Sequence, residues 1–434
     1  MNITFILPEI NGGGIATYYR NLIPALTGAG HYINVILGDY KRDITNHDFP
    51  CNVIQITESN YVEGLSKYKA LDIFSGIQSK VALSHACYQE ASKLKSDIIE
   101  ITDYNLLFYS FITRKIAPVI IRLAGSTGQL ELHEQRTNDK LQSSFIISLE
   151  HTLLNHADYV IGISQLNINY WNQFLHKKAI LHLPYLKYAD SEKSQVTKFN
   201  NKEGRGIIVG RVQLWKGALF LSEFYRKYPD APGVDWVGGD NYYLEYHHSM
   251  IAHLQKTYPD VIGNKIAFKG RMPYQEAQRL IDMADFVLVP STWDTFNFVV
   301  TEAMWKGKVV IASTGAGATE LVQNGINGFV YENNDLDSLM NIFNSYLNST
   351  EKQLNEIQQE ASSSVQRMLS NTAILKERIN AFETVKKMPI NQNNTLAFIQ
   401  NSFINQSSKQ LFEQRIGLKR LIKLGIGKIK VFLK

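Results

Sequence analysis

The sequence predicts an α/β protein of two doubly wound, Rossmann-like domains facing a central cleft, followed by a basic C-terminal helical tail. Three observations predict it. The 434 residues exceed what one hydrophobic core organises and suit two medium domains with some extra chain. Each half alternates short apolar runs with helically spaced segments, the pattern of parallel sheets covered on both faces. Residues 415–434 carry seven Lys or Arg and no acid. The expected limits are 1–186, 187–387 and 388–434.

Composition excludes several classes. Apolar content of 44% and charged content of 20% belong to an ordinary globular chain, so wholesale disorder is not expected. Cys51 and Cys87 make neither a disulfide framework nor a metal cluster. The opening "MNITFILPEI" has no basic n-region and too short an apolar run for a signal peptide. No stretch reaches the roughly 18 apolar residues that a spanning helix needs. A protein of the cytosol is expected.

In the first half, "ITFIL" (Ile3–Leu7) opens as a strand, and the loop "PEINGGG" leads into a helix with apolar positions at Tyr19, Leu22, Ile23 and Leu26. Pro24 lies inside that helix and should kink it or remove a hydrogen bond. Further strands are expected at Ile33–Asp39, Asp97–Thr102, Pro118–Leu123 and Ala157–Ser164. The triple glycine Gly12-Gly13-Gly14 is either a tight strand-to-helix turn or a place where a phosphate approaches free helix N–H groups. A dinucleotide fingerprint would need glycine where Thr17 stands, so that match is incomplete. Asp39, after the second strand, stands where such a fold binds ribose, which leaves an NAD-dependent reading open.

The polar stretch 188–204 reads as the linker. Strands then return at Arg205–Val212, Val234–Asp240, Lys265–Met272, Ala284–Ser291, Lys308–Ser313 and Gly328–Asn333. Open sheets of this kind bind ligands at the carboxyl ends of their strands. Arg211, Lys216, Gly270, Asp294 and Gly315 all fall just past strand ends, so they should gather on one rim.

The segments "GRVQLWKG", "FKGRM", "PSTWDTFNFVVTEAMWKG" and "STGAGATELVQNGINGFVY", in that order and spacing, resemble the retaining nucleotide-sugar glycosyltransferases of the GT-B fold, family four (glycosyl transferases group 1). "GGGIATYYRNLIPALTGAGH", which contains Gly13 and Gly14, is similar to that family's acceptor-side glycine loop and first helix. The resemblance runs from about Met1 to Val385. It implies transfer of a sugar from a nucleotide-sugar donor to a glycan or lipid-linked acceptor, with no nucleic acid partner.

Breaking a bond to a diphosphate puts negative charge on the leaving group, and cations answer it. Arg211 and Lys216 match the family's phosphate-binding pair, and N–H groups of Phe298 and Val299 at a helix start would add to the clamp. Glu302 matches the carboxylate that accepts hydrogen bonds from ribose hydroxyls, a task for an acceptor-only group. Backbone groups near Arg271 and Met272 would meet the base. Asp294 matches the acid that binds the donor sugar and steadies positive charge at the reacting carbon. A plainer reading makes Asp294 a helix N-cap.

Three departures from the family pattern stand out. Asp294 replaces Glu, shortening the reach by roughly 1.5 Å. Asn297 replaces Gly. Ala124 in "IIRLAGS" replaces a histidine that touches the donor sugar, so either His133 substitutes from the "QLELHEQR" stretch or the site works without one. "DLD" (Asp335–Asp337) opens a helix and is expected to cap it, and no obligatory metal or other cofactor is expected. A nucleotide-sugar epimerase of the same fold and a non-catalytic nucleotide-sugar binder remain as alternatives. In the tail, Arg415, Lys419, Lys423, Lys430 and Lys434 share one helical face opposite Leu418, Leu421, Ile422, Ile429 and Phe432. That pattern predicts docking on an anionic membrane surface. It puts the protein at the inner face of the cytoplasmic membrane, in bacterial envelope polysaccharide or lipopolysaccharide assembly.

Overall fold

The computed structural model describes residues 1–10, 12–41, 49–134, 139–190, 204–243 and 248–390, with 392 and 396. The predicted membrane helix at 415–434, and residues 191–203 of the expected linker, lie outside the described residues.

The N-terminal sheet contains β1 (Asn2–Leu7), β2 (Tyr32–Leu37), β3 (Asn52–Gln55), β4 (Ile98–Thr102), β5 (Val119–Leu123), β6 (Tyr159–Gly162) and β7 (Ile180–Leu181). Every pairing is parallel, in the order β3-β2-β1-β4-β5-β6-β7. The C-terminal sheet contains β8 (Gly206–Val209), β9 (Val234–Val237), β12 (Ile266–Gly270), β13 (Phe286–Val289), β14 (Val309–Ser313) and β15 (Phe329–Tyr331). Its order is β12-β9-β8-β13-β14-β15, again parallel. Between them in sequence, β10 (Tyr242–Tyr243) and β11 (His248–Ser249) form an antiparallel hairpin. Two doubly wound domains are therefore present, as predicted.

Strands covered on both faces read as unbroken apolar runs rather than alternating ones. β4, β5 and β14 are buried at every position, so their sequences were legible. β3 and β7 were not predicted. They are edge strands, short and only partly buried, so they lack the apolar run that marks a central strand. The predicted strands hold, with ends a few residues shorter than expected. The first helix, Gly13–Gly28, continues past Pro24, because Tyr18, Tyr19, Leu22, Ile23 and Leu26 pack its inner face into the core and outweigh the lost hydrogen bond.

The last long helix, Asn371–Lys386, corrects the expected boundary. Assigned to 187–387 by sequence order, it packs on the N-terminal domain. Arg378 pairs with Glu100 on β4, and both side chains are fully buried. Phe382 meets Phe5 of β1 at 6.4 Å between ring centroids, and Asn371 hydrogen-bonds the Leu186 backbone. Glu100 also accepts from the Tyr19 hydroxyl at 2.8 Å, and Arg122 donates to that hydroxyl at 3.2 Å. A buried charge network thus joins the helix Asn371–Lys386 to the first helix and to β4.

Candidate active site

The C-terminal strand ends converge through close backbone approaches. Gly210 follows β8, and its carbonyl accepts from the Trp236 indole at 2.8 Å. Gly238 follows β9 and donates to the Gly270 carbonyl at 2.9 Å. Gly217 is left-handed (φ 84°), and a Cβ there would lie 1.9 Å from the Pro290 carbonyl oxygen, so only glycine fits. That approach brings the turn carrying Lys216 onto the exit of β13, where Trp215 accepts from the Thr292 N–H at 2.9 Å. Lys216 and Asp294, 78 residues apart, then form an ion pair. Asp294 is 6% exposed. Its own backbone is tied to Gly315 and Gly317 after β14, at 2.8 and 3.0 Å.

Asn297, not Asp294, caps the helix Phe298–Trp305. It is left-handed (φ 73°), and its Oδ1 accepts from the Val299 N–H at 3.2 Å. Asparagine is among the few residues with a side chain that tolerate this conformation, so it can stand where the family has glycine. The same cap already engages the Val299 N–H that was expected to face the leaving group. The Phe298 N–H has no acceptor among the described residues. Asp335 caps its own helix by accepting from Ser338 at 2.9 Å, as expected for "DLD". Among the described residues no cluster of three or more His, Cys, Asp or Glu could hold a metal ion.

Glu302 lies on the next turn, partly buried, and accepts from the Gln278 amide at 3.0 Å. Burial pushes its carboxyl up to about 7, against the opposing pull of Gln278 and Lys306. Arg211 is exposed just past β8, with no ion-pair partner among the described residues. Arg271, exposed, and Met272, partly buried, follow the left-handed Gly270 at the end of β12.

The N-terminal domain closes the other side. Gly13 and Gly14 are exposed, and a Cβ on Gly14 would sit 3.6 Å from the Phe298 ring, so the glycine loop faces the helix that starts at Phe298. Gly125 (φ 104°) lies against Trp293 and Thr295, and Thr295 Oγ1 donates to the Ala124 carbonyl at 3.4 Å. The Ala124 N–H is held by Asp103 at 2.7 Å, and burial pushes that fully enclosed carboxyl up to about 7. Ser164 donates to the Thr295 carbonyl at 2.6 Å, and Glu320 accepts from the Gln165 N–H at 2.8 Å. The segment Trp293–Thr295 is therefore gripped by both domains.

His133 is not an ordinary surface histidine. Its ring stacks on Trp293 with centroids 4.5 Å apart and planes 8° from parallel, and Trp293 in turn meets Trp215 at 5.0 Å. Burial pulls His133 down to about 4, so the imidazole is neutral at physiological pH. An aromatic stack thus crosses the cleft beside the Lys216–Asp294 pair. Both tryptophans escaped the sequence reading, although each directly precedes a charged residue of that pair in "QLWKG" and "STWDT". Glu320 lay in a quoted motif without a role.

Residues 190–363 match the family described as Glycosyl transferases group 1. That stretch of the chain, which lies mostly in the second domain, is thus similar to the group 1 glycosyltransferases. The chain is 24% identical over 214 residues to an uncharacterized glycosyltransferase of Methanocaldococcus jannaschii, spanning 48% of the chain and 53% of the relative. It is 26% identical over 249 residues to the lipopolysaccharide 1,2-N-acetylglucosaminetransferase of Salmonella typhimurium, spanning 54% of the chain and 64% of the relative. The matches thus reach only about half to two thirds of those relatives' length. The sucrose-phosphate synthase of Thermosynechococcus elongatus shares the fold over 88% of this chain and 98% of its own chain, at TM-score 0.67 and 18% identity. Anabaena HepE in complex with UDP-glucose does so over 88% and 100%, at 0.63 and 19%. These similarities establish the GT-B fold.

Proposed function

We propose that this protein is a retaining, metal-independent hexosyltransferase that moves a sugar from a nucleotide-sugar donor to a glycan or lipid-linked acceptor. The observation that carries it is the Lys216–Asp294 pair on the cleft floor, beside Trp215 and Trp293, with Arg211 just past β8 and Glu302 on the helix that follows β13. In this reading, 1–186 with the helix Asn371–Lys386 packed on it binds acceptor, and 187–370 binds donor. A diphosphate competes with Asp294 for Lys216, and Arg211 and the Phe298 N–H share its charge. Asp294, freed from Lys216, accepts from the donor sugar and steadies positive charge at its anomeric carbon. Glu302 holds ribose, and the backbone near Arg271 and Met272 meets the base. Two side-chain cations supply the charge that a metal ion supplies elsewhere. His133, neutral and held against Trp293, is the residue that would substitute for the family histidine missing at Ala124, unless the site works without one. The UDP and UDP-glucose complexes of HepE make uridine donors the first to test, and the Salmonella relative supports a role in envelope polysaccharide. A thermal-shift screen against nucleoside diphosphates and their sugars tests the reading. A ligand at a hundred times its Kd stabilises by roughly 2.7 kcal/mol. No shift with any nucleotide would remove the donor site, and binding without turnover would leave a binding protein.

Glu302 makes the binding pH-dependent. Its carboxyl is raised from 4.5 to about 7 by burial, so ionising it disfavours the folded chain. The sign follows: fold stability from this group falls as pH rises from 4.5 toward 7, and the deficit persists above. Ribose hydroxyls bind best to the ionised form, which the folded chain gains only as pH passes through about 7, so nucleotide affinity should rise between about pH 6 and pH 8. Glu302→Gln should weaken nucleotide binding at pH 8 while leaving the unliganded fold as stable or more so. Calorimetry and thermal melts at pH 6 and 8 check both halves, and unchanged affinity would make Glu302 a bystander.

Asp294→Glu tests the departure from the family acid. If the shorter carboxylate suits this donor, the longer one should lower turnover or shift donor choice in a competition assay. Higher turnover on the same donor would mark Asp294 as tolerated drift.

The tail supplies the membrane step of this reading. Among the described residues no helix is long and apolar enough to cross a bilayer, and polybasic attraction is worth about 1 kcal/mol per cation near an anionic surface. Full-length protein should sediment with anionic vesicles but not neutral ones, and a chain ending at Val385 should lose that binding. Equal binding by the two would show that 415–434 is not the anchor.

A further inference from the structure

A buried polar cluster lies behind the cleft in the N-terminal domain, where Ser126, Gln129, Glu150, Ser164 and Asn167 are each 0–2% exposed. Its node is the start of the helix Thr127–Glu134. Ser126 Oγ accepts from the Gln129 N–H at 3.1 Å, and Gln129 Oε1 accepts from the Ser126 N–H at 3.2 Å, the reciprocal bonds of a capping box. Glu150, on the helix Lys140–Leu154, closes the node from behind. Its Oε2 accepts from the Ser126 hydroxyl at 2.7 Å and from the Gly128 N–H at 3.0 Å. A Cβ on Gly128 would lie 2.6 Å from that oxygen, so a glycine there permits the approach.

Two arms leave the node for the cleft. One is the helix itself, whose His133 stacks on Trp293 at 4.5 Å. The other runs through side chains. Gln129 Nε2 donates to Asn167 Oδ1 at 2.8 Å, the Asn167 N–H donates to Ser164 Oγ at 3.3 Å, and Ser164 donates across the domain boundary to the Thr295 carbonyl at 2.6 Å. A Cβ on Gly317 would lie 2.5 Å from Ser164 Oγ, so a glycine of the second domain lets that last bond close. The arms thus end on Trp293 and Thr295, the two sequence neighbours of Asp294.

The geometry points to Gln129 and Glu150 as positioning residues for the transfer, which hold the Asp294 carboxylate in place by fixing the residue on either side of it. This rests on the transferase reading above. Both side chains are buried, so they act through the chain between rather than on a substrate. A carboxylate that steadies charge at an anomeric carbon must keep its place to a fraction of an ångström, and a misplacement of about 1 Å costs roughly a hundredfold in rate. Apolar side chains would fill the same space, whereas hydrogen bonds fix direction as well as contact. Arg211 and Glu302 sit on the other domain and share no hydrogen bond with the cluster among the described residues, so nucleotide affinity should not depend on it.

Kinetics, calorimetry with UDP and fluorine NMR on full-length protein labelled with 5-fluorotryptophan test this. The chain has five tryptophans, and Trp293→Phe and Trp171→Phe assign the two signals that matter. Gln129→Leu, Glu150→Leu and Ser164→Ala should each lower kcat by roughly tenfold to a hundredfold, leave UDP affinity unchanged and move the Trp293 signal. Glu150→Gln should stay near wild type, because an amide oxygen at the place of Oε2 keeps both bonds. Ser164→Ala removes a single side chain's bonds at the domain boundary and serves as the test where Gln129→Leu does not fold. Unchanged kcat in Ser164→Ala, Glu150→Gln as damaging as Glu150→Leu, or losses that match only the fraction of protein left folded would overturn the assignment. So would a Gln129→Leu shift confined to Trp171, whose indole donates to Gln129 Oε1 at 3.3 Å, because the cluster would then be local. A wild type that turns over no nucleotide sugar, with Trp293 still moved by the variants, would keep the network and overturn the transferase reading. Turnover with an unmoved Trp293 would do the reverse.

Discussion

Lys216→Ala should lower sugar transfer by roughly tenfold to a thousandfold, as removing one charge from a leaving-group clamp does, and Arg211→Ala should do the same. The two differ in what else they change. Arg211 is exposed and forms no ion pair among the described residues, so its loss should leave stability alone. Lys216 neutralises Asp294, which is 6% exposed, so Lys216→Ala strands a nearly buried carboxylate. Some loss of activity could then come from a disturbed loop. Lys216→Ala combined with Asp294→Asn separates the causes, because it removes both charges together. Steady-state kinetics and melts on the single and double variants should show stability recovered in the double and activity still missing. Wild-type turnover in Lys216→Ala, with the true donor, would remove Lys216 from the clamp.

Arg378→Ala should cost about 3–5 kcal/mol, the penalty for leaving a buried charge without its partner. Glu100 is fully buried on β4, and besides Arg378 it has the Tyr19 hydroxyl at 2.8 Å. Because Arg378 rides on the helix Asn371–Lys386, the loss falls on the docking of that helix to the N-terminal domain. Denaturant unfolding should show the reduced stability, and limited proteolysis should show cleavage near the helix. Arg378→Met with Glu100→Leu should be far closer to wild type, since apolar replacement of a whole buried pair is often neutral. Equal damage in the single and double variants would place the stability in packing rather than in charge.

The linear order of residues was enough to determine the two parallel sheets, since strands buried on both faces carry apolar runs that periodicity exposes. It also determined which charged groups stand past strand ends, because β8, β13 and the helix after β13 follow from local pattern alone. What it left open was contact between distant segments. That Lys216 meets Asp294 depends on Gly217 touching Pro290, an approach written in no local period. That Asn297 rather than Asp294 caps the helix depends on a single φ angle, and that cap consumed the Val299 N–H expected to face the ligand. His133 looked like one polar position in a helix with little amphipathic pattern, until the domains brought Trp293 against it. The helix Asn371–Lys386 was assigned to the domain it follows, because a buried pair such as Arg378–Glu100, 278 residues apart, leaves no local trace. Local patterning records how each residue meets its own strand or helix. The meeting of two domains is decided by shape and charge across surfaces, and only the tertiary structure brings those surfaces together.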